Sequence, residues 1–483
     1  MLAIGTHSAP VHADTLGEAI AKAYTRNPAL QATRSLSKAA DEAVVQAKAA
    51  YGPTIGITAS HTYTTSRTSI PGISVSEHGF ATDAEISLSQ PLFTSGRLGA
   101  GVDAATAEQL VAREELRAQS QKLILDVVDA YVSLRRDIEL YGVACDIYRL
   151  LLQQRDTTSA RLRLRDATEP DVAQTENRMQ LAAGRVIAAR AGVEASAARY
   201  RNVVGNYPET LEPLPTLVAP PTLETLYVEA ESNSPALLAS KFTELRSRAT
   251  LAAARAERGP SIDAFASARR TPLSDYENDR YTKALIAGVS LSMPLYTSGR
   301  ITSSVREAIA RNEADQQLIE QARRDVRESI ADDWNLLLSA DQSQPRYDAA
   351  VRAAQSAVDG VKQQETAGIR TLRDVLDVTN DLLTARTSAA QTEADAYIRK
   401  VAVLRDAGLL DIAMFEPQIA YDPDAYHPPL AALAGLPLRP LIGPIDRLLL
   451  NQGVKPANVD RENAATYRWP ATVPDPLAPE AGK

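Results

Sequence analysis

The chain is poor in large aromatics and has almost no cysteine: five Phe, two Trp and one Cys among 483 residues. With Cys145 alone, no disulfide can close within the chain, and no Cys near the N-terminus is placed to carry a lipid. Cys145 falls in a helical stretch, where a buried apolar role is expected. The five His, at 7, 12, 61, 78 and 427, do not pair at the spacing of metal ligands. There is no phosphate loop, no G-x-S-x-G elbow and no Cys-His pairing, so no catalytic residue, metal or cofactor is expected. No apolar run approaches the roughly 18 residues of a membrane-crossing helix. The net charge of −8 mixes both signs and gives no basic footprint, which excludes nucleic acid as a partner.

What the chain has is Ala, Arg, Gln, Glu and Leu, the composition of long helices. It also has a duplication. Leu88-Ser89-Gln90-Pro91-Leu92-Phe93-Thr94-Ser95-Gly96-Arg97 returns from position 291 as Leu291-Ser292-Met293-Pro294-Leu295-Tyr296-Thr297-Ser298-Gly299-Arg300, an offset of 203. Thr168-Glu169-Pro170-Asp171-Val172 returns at the same offset as Thr371-Leu372-Arg373-Asp374-Val375. Thr15-Leu16 followed by Asn27-Pro28-Ala29-Leu30 recurs as Thr222-Leu223 followed by Ser234-Pro235-Ala236-Leu237. Two similar units, residues 14–210 and 211–410, therefore precede a tail, 411–483, that holds twelve of the 28 prolines.

Each unit changes its hydrophobic period twice. Residues 15–50 read as helix, with Leu16, Ile20, Ala23 and Tyr24 on one face, until Tyr51-Gly52-Pro53 stops it. The period then drops to two. Strands are expected at 54–66 and 80–93, where Ile55, Ile57, Ala59 and Tyr63, then Ala84, Ile86 and Leu88, alternate with small polar residues; His61 falls on the apolar side. The second unit repeats this at 260–271 and 280–296, with Phe265 out of pattern. After each PL[FY]TSGR string, Gly96-Arg97 and Gly299-Arg300 read as strand-to-helix junctions, with Gly allowing the turn.

Helical hairpins are expected at 98–205 and 301–408. Leu116, Leu123, Val127, Tyr131, Leu134 and Ile138 form one stripe, duplicated by Ile319, Val326, Ile330, Trp334 and Leu337. A helix over 98–165 would run roughly 100 Å and needs neighbours packed as in a coiled coil. Thr168 with Asp171, and Thr371 with Asp374, read as capping boxes that start the return helices, and Gly368 can end the helix before the second turn. At the N-terminus, Val11-His12-Ala13-Asp14 looks like a cleavage site, making 1–13 the remnant of an export signal. The Pro-rich composition of the tail does not continue a coiled coil, and residues after about 455 are expected to be disordered.

Strands with one apolar and one small-polar face fit either a transmembrane β-barrel or a small soluble sheet. Phe93 and Tyr296 at one end, and Phe80 and Tyr281 at the other, stand where interfacial rings are favoured. Four strands are too few to close a barrel, so a barrel must be assembled from several chains.

In these strings, in the TLxxAxxxxxxxNPxL opening and in Gly368-Ile369-Arg370-Thr371-Leu372-Arg373-Asp374-Val375-Leu376-Asp377, the chain resembles the TolC-like outer-membrane efflux protein family over residues 15 to about 410. The resemblance implies a mainly α fold with a transmembrane β-barrel. Long coiled-coil hairpins would form a periplasmic tunnel, and four strands per chain would contribute to a trimeric, twelve-stranded barrel in outer-membrane lipid. It implies an exit duct for efflux or type I secretion, located in the outer membrane of a Gram-negative bacterium, extending into the periplasm and served by a periplasmic adaptor and an inner-membrane transporter. It also implies that Asp374 and Asp377 ring the entrance and that Arg370 bonds Asp171 to latch it. Two residues depart from the family pattern: Pro170 precedes Asp171, and Glu365 replaces the aromatic often found upstream of the Gly. Asp171 and Asp374 are accounted for equally well as capping residues; Asp377 lies beyond a cap's reach. A periplasmic coiled-coil adaptor or a structural envelope-spanning protein are the alternatives. The first would show one hairpin flanked by lipoyl-like β segments, and the second would need no alternating strands.

Overall fold

The computed structural model describes residues 15–447 apart from 209, 218–221, 430 and 437–438, so the expectations for 1–13 and for the chain after about 455 lie outside the described residues. The first repeat runs α1 (Leu16–Arg26), α2 (Pro28–Ala49), β1 (Thr54–Ile70), β2 (Ile73–Phe93), α3 (Arg97–Arg163) and α4 (Glu169–Val204). The second runs α5 (Leu223–Asn233), α6 (Pro235–Ala256), β3 (Ser261–Ser274), β4 (Glu277–Ser292), α7 (Arg300–Thr366) and α8 (Leu372–Asp406). A short α9 (Arg439–Arg447) follows in the tail.

The opening helix expected over 15–50 is two helices. Asn27 ends α1 in an extended conformation, and its side chain accepts from the backbone N–H groups of Ala29 and Leu30 to start α2, with Pro28 in the first turn. That cap outweighs the continuous helical composition on either side. α3 and α7 each have 67 residues, about 100 Å at the usual rise. α3 is packed by α4, α2, α6 and α8, and α7 by α8 and α6. The core where α1, α3, α4 and α8 meet holds Leu16, Ile20, Ile124, Val127, Tyr131 and Tyr200, and tail residues Ile412 and Phe415 close over it. Ile138, expected on the buried stripe, is exposed, and Cys145 is half-buried and not enclosed.

The four strands form one antiparallel sheet in the order β1-β2-β3-β4. Both hairpins run further toward their turns than the alternation suggested, because Ile70 and Ile73 still pair across the first and Ser274 and Glu277 across the second. At its other end β4 stops at Ser292 and does not reach 296. Pro294 lacks the N–H a ladder needs, and among the described residues no strand pairs with the outer edge of β4. The sheet keeps one apolar face, on which Ile55, Ile57, Ile86, Leu88, Leu285, Val289 and Leu291 line up through the register.

Both exceptions to the alternation are resolved by cross-strand contacts. His61 stacks on Phe80 at 5.0 Å, and its Nδ1 lies 2.9 Å from Thr82 Oγ1. Phe265 lies opposite Gly288, and a Cβ there would come within 2.9 Å of the ring. The glycine makes room for a ring that the polar face could not otherwise seat.

Candidate functional site: hairpin tips and strand–helix junctions

At the tips, both return helices start with complete capping boxes. Asp171 N–H donates to Thr168 Oγ1, while Asp171 Oδ2 accepts from Thr168 N–H at 2.9 Å and from its hydroxyl at 2.6 Å. Asp374 and Thr371 repeat this at 3.0 and 2.9 Å. These hydrogen bonds favour the ionised form, so both carboxyls titrate below their ordinary value: Asp171 chiefly through the Thr168 hydroxyl, Asp374 chiefly through the Thr371 N–H.

Arg370 does not meet Asp171 within the chain; its Nε donates to Gln364 Oε1 at 3.4 Å. Asp377 is half-exposed and faces two cations, Arg178 of α4 at 3.6 Å and Arg373 at 3.8 Å. Arg178–Asp377 ties one tip to the other, and a second, more buried pair does so as well. Arg161, near the end of α3, donates to the buried carboxylate of Glu365, near the end of α7, and also pairs with Asp166 at 3.0 Å. The sequence held a signal for this link. Glu365 occupies the register of Leu162, so a carboxylate stands where the first repeat carries an apolar residue. Below the tips, Val143, Ile147, Leu151, Met179, Leu376 and Leu382 pack the two hairpins together.

The strand–helix junctions place consecutive residues in the left-handed region: Ser95 (φ 55°) and Gly96 (φ 90°), then Ser298 (φ 51°) and Gly299 (φ 84°). This conformation aims backbone N–H groups at one point, where the N-terminus of a long helix adds to the positive potential. In the first junction that point is filled. Asp446, fully buried on α9, accepts from Thr94 N–H at 2.7 Å, from Gly96 N–H at 3.0 Å and from the Thr94 hydroxyl. Ser95 Oγ donates to the Pro260 carbonyl at 2.6 Å. The second junction is exposed, with Arg300 near Glu257 at 3.7 Å and Arg97 of the first likewise facing outward. Asp446 was not legible beforehand, since its partners lie 350 and 352 positions away and no local pattern marks it.

Among the described residues no group of acidic, His or Cys side chains could hold a metal ion, and no helix is long and apolar enough to cross a membrane. The latter says nothing about the sheet.

The whole repeat pattern has known counterparts. The chain matches the profile of the family described as Outer membrane efflux protein over residues 19–206 and 226–408. It is 29% identical over 418 residues to the outer membrane efflux protein BepC of Brucella suis, covering 86% of this chain and 90% of that one. It is 24% identical over 431 residues to the outer membrane protein TolC of Escherichia coli K12, covering 85% of each. In structure it is similar to the outer membrane protein VceC of Vibrio cholerae, with a TM-score of 0.70 at 18% identity, covering 81% of this chain and 96% of that chain. The chain belongs to the outer membrane efflux protein family and serves as an exit duct in the outer membrane of a Gram-negative bacterium.

Proposed function

We propose that three copies of the chain join their sheets into one twelve-stranded barrel in outer-membrane lipid. Their paired hairpins continue the barrel as a tunnel across the periplasm. The duct is passive. A periplasmic adaptor and an inner-membrane transporter deliver cargo to it in a tripartite efflux or type I secretion system. The observation that carries this reading is a sheet with two unpaired edges and an exposed apolar face, on which Ile57 is 77% and Val289 66% exposed. An open sheet of this kind in water is an aggregation hazard; closed among copies and set in lipid it is satisfied. Arg at Ile57 or Val289 near the bilayer midplane costs about 2–4 kcal/mol, whereas Arg at Thr58 or Ser290 faces the lumen and is tolerated. The yield of heat-modifiable trimer in outer membranes tests this, and equal tolerance on both faces would count against a barrel.

At the inner end, Asp374 and Asp377 from three copies form a ring that favours cations. Arg370 bonds Asp171 of an adjacent hairpin in another copy, and the Arg161–Glu365 pair holds the two tips of one copy together. Single-channel recording separates these roles. Asp377→Asn is expected to lower cation selectivity, measured as reversal potential in a salt gradient. Arg370→Ser and Glu365→Leu are expected to raise conductance. An unchanged reversal potential removes Asp377 from the ring, and unchanged conductance in both latch variants places closure elsewhere.

A further inference from the structure

A helix on a water-facing surface turns its polar residues outward, and α9 does the reverse. Asp446 points inward to the first junction, and Ile442, 7% exposed, packs with Tyr51 and Val102. Leu441 and Ile445 share another side and are 66% and 55% exposed. Leu433 and Leu436, in the turns ahead of the helix, are exposed as well, and three leucines, 448–450, follow it in the sequence.

This apolar side continues the outer surface of the sheet. Beyond Pro91 a bulge sets Leu92 and Phe93 together opposite Ile262. Ile262 pairs with Leu291 on the apolar face, so Leu92 and Phe93 end that face at the foot of β2. Leu92 packs against the cluster of Ile442, which puts α9 on the apolar side of the sheet and not on the lumen side. α9 packs on β2 and α3, and β2 has a strand on either side, so α9 lies away from both free sheet edges. Next to it an open groove of about 550 Å³ is lined by Tyr51, Val102, Leu436, Pro440 and Pro444, with Arg439 the one charged residue among those lining it.

The strands set its depth. A barrel strand crosses the hydrocarbon in about 9–11 residues at a tilt of about 45°. The apolar positions of β1 run from Ile55 to Tyr63, a stretch of that length, and Ile55 pairs with Leu88 at its lower edge. Leu92 follows Leu88 by four positions, about 9 Å further along the membrane normal at this tilt. The headgroup layer is about 5–8 Å thick on each side, which brings α9 to the headgroups of the periplasmic leaflet, where amphipathic helices settle.

We propose that α9 and the turn before it form an interfacial anchor that seats on phospholipid of the periplasmic leaflet. Leu433, Leu436, Leu441 and Ile445 face the acyl boundary, and Arg439 takes a lipid phosphate. Through Asp446 the anchor grips the start of α3, so the lipid surface is tied to the first long helix. The proposal rests on the barrel reading, which makes the apolar face the lipid side, and adds a membrane contact that no strand makes.

Nitroxide labels on residues that are already exposed test this with little risk to folding. In a Cys145→Ala background, Leu441→Cys and Ile445→Cys are labelled, and the protein is reconstituted in vesicles of phosphatidylethanolamine and phosphatidylglycerol. Collision rates are measured with oxygen, which concentrates in lipid, and with a water-soluble nickel chelate. Ile57→Cys is the barrel standard, and Leu164→Cys, exposed at a hairpin tip, is the water standard. Both α9 labels are expected to give an oxygen-to-nickel ratio several-fold above that of Leu164→Cys and below that of Ile57→Cys. A ratio equal to that of Leu164→Cys overturns the anchor, while a lipid value at Ile57→Cys keeps the barrel. Low rates with both reagents mean that protein covers α9, a second copy or another partner, and overturn the anchor too. A water value at Ile57→Cys overturns the barrel reading itself.

Discussion

Helices α3 and α7 have the same length, start from the same Ser-Gly turn and carry the same apolar stripe, yet α3 buries twenty-two residues and α7 ten. The difference is one of surroundings, not of sequence pattern. α3 lies between helices of both repeats, while α7 has neighbours on fewer sides. The same contrast holds at the junctions, buried around Thr94 and Gly96 and exposed around Thr297 and Gly299, and in the strands, where β2 has two neighbours and β4 has one. A duplicated chain that satisfies one repeat and leaves the other open carries in its first half the pattern for contacts its second half makes with another molecule.

The largest expected effect breaks this contrast at the junctions. Asp446 satisfies two backbone N–H groups and the Thr94 hydroxyl in a fully buried setting. Asp446→Ala leaves those donors without acceptors, at about 1–3 kcal/mol for each buried group, so a loss of about 3 kcal/mol or more is expected. Thr297→Val alters the matching position of the second repeat, which no carboxylate among the described residues bonds, and is expected to change stability by less than about 0.5 kcal/mol. Thermal unfolding of both variants decides, and equal losses would show that the two junctions are held alike.

How much of this was legible beforehand follows from the range of the interactions. The strands, the long hairpins and both capping boxes are written in periods of two, three and four residues and in Thr-x-x-Asp spacings, so local rules found them. The break at Asn27 rests on a single cap followed by Pro28, which overrides a helical composition that runs unbroken on either side. The end of β4 depends on whether a neighbour is present, which no single strand encodes. At the tips, Arg161 and Glu365 belong to different repeats, and only the misfit of Glu365 against Leu162 hinted at their meeting. The C-terminal clamp left no trace, because a lone Asp in a Pro-rich tail looks like any solvated carboxylate.

A second, smaller contrast lies where α7 meets α8. Asp333 and Asp406 occupy the registers that Ala130 and Val203 hold in the first repeat. Asp333 accepts from Arg399 at 2.7 Å, Arg405 reaches both carboxylates, and one Asp406 oxygen is buried without a partner. Burial, reinforced by Asp333 and opposed by Arg405, pushes the Asp406 carboxyl up to about 6. The folded state thus holds this proton more tightly than the unfolded chain does. The contribution is complete below the ordinary value of 3.8 and is lost as pH rises through about 6. Asp406→Val, which restores the residue type of the first repeat, is expected to raise the unfolding temperature at neutral pH and to flatten its dependence between roughly pH 4 and 7. A wild-type slope in the variant would move the titration to another group.

The smallest effect sharpens the comparison at the turns between the paired helices. Both turns close with the same backbone bonds, Asp166 N–H to the Arg161 carbonyl and Ile369 N–H to the Gln364 carbonyl, each 2.8 Å. Each also needs a left-handed residue just after its helix, supplied by Arg165 (φ 63°) in the first repeat and Gly368 (φ 76°) in the second. For a side chain this conformation costs about 1–2 kcal/mol, and glycine avoids that cost. Glycine also makes the unfolded chain more flexible, which takes back about 0.4–1 kcal/mol. Arg165→Gly is therefore expected to stabilise the first hairpin by about 0.5–1 kcal/mol, and Gly368→Arg to destabilise the second by a similar amount. Nothing lies within 4 Å of a Cβ built at Gly368, so the second change is not confounded by a clash. Opposite shifts of similar size in thermal unfolding would show that the two tips differ in backbone strain, whereas a loss in both variants would mean that the Arg165 side chain itself supports the first turn.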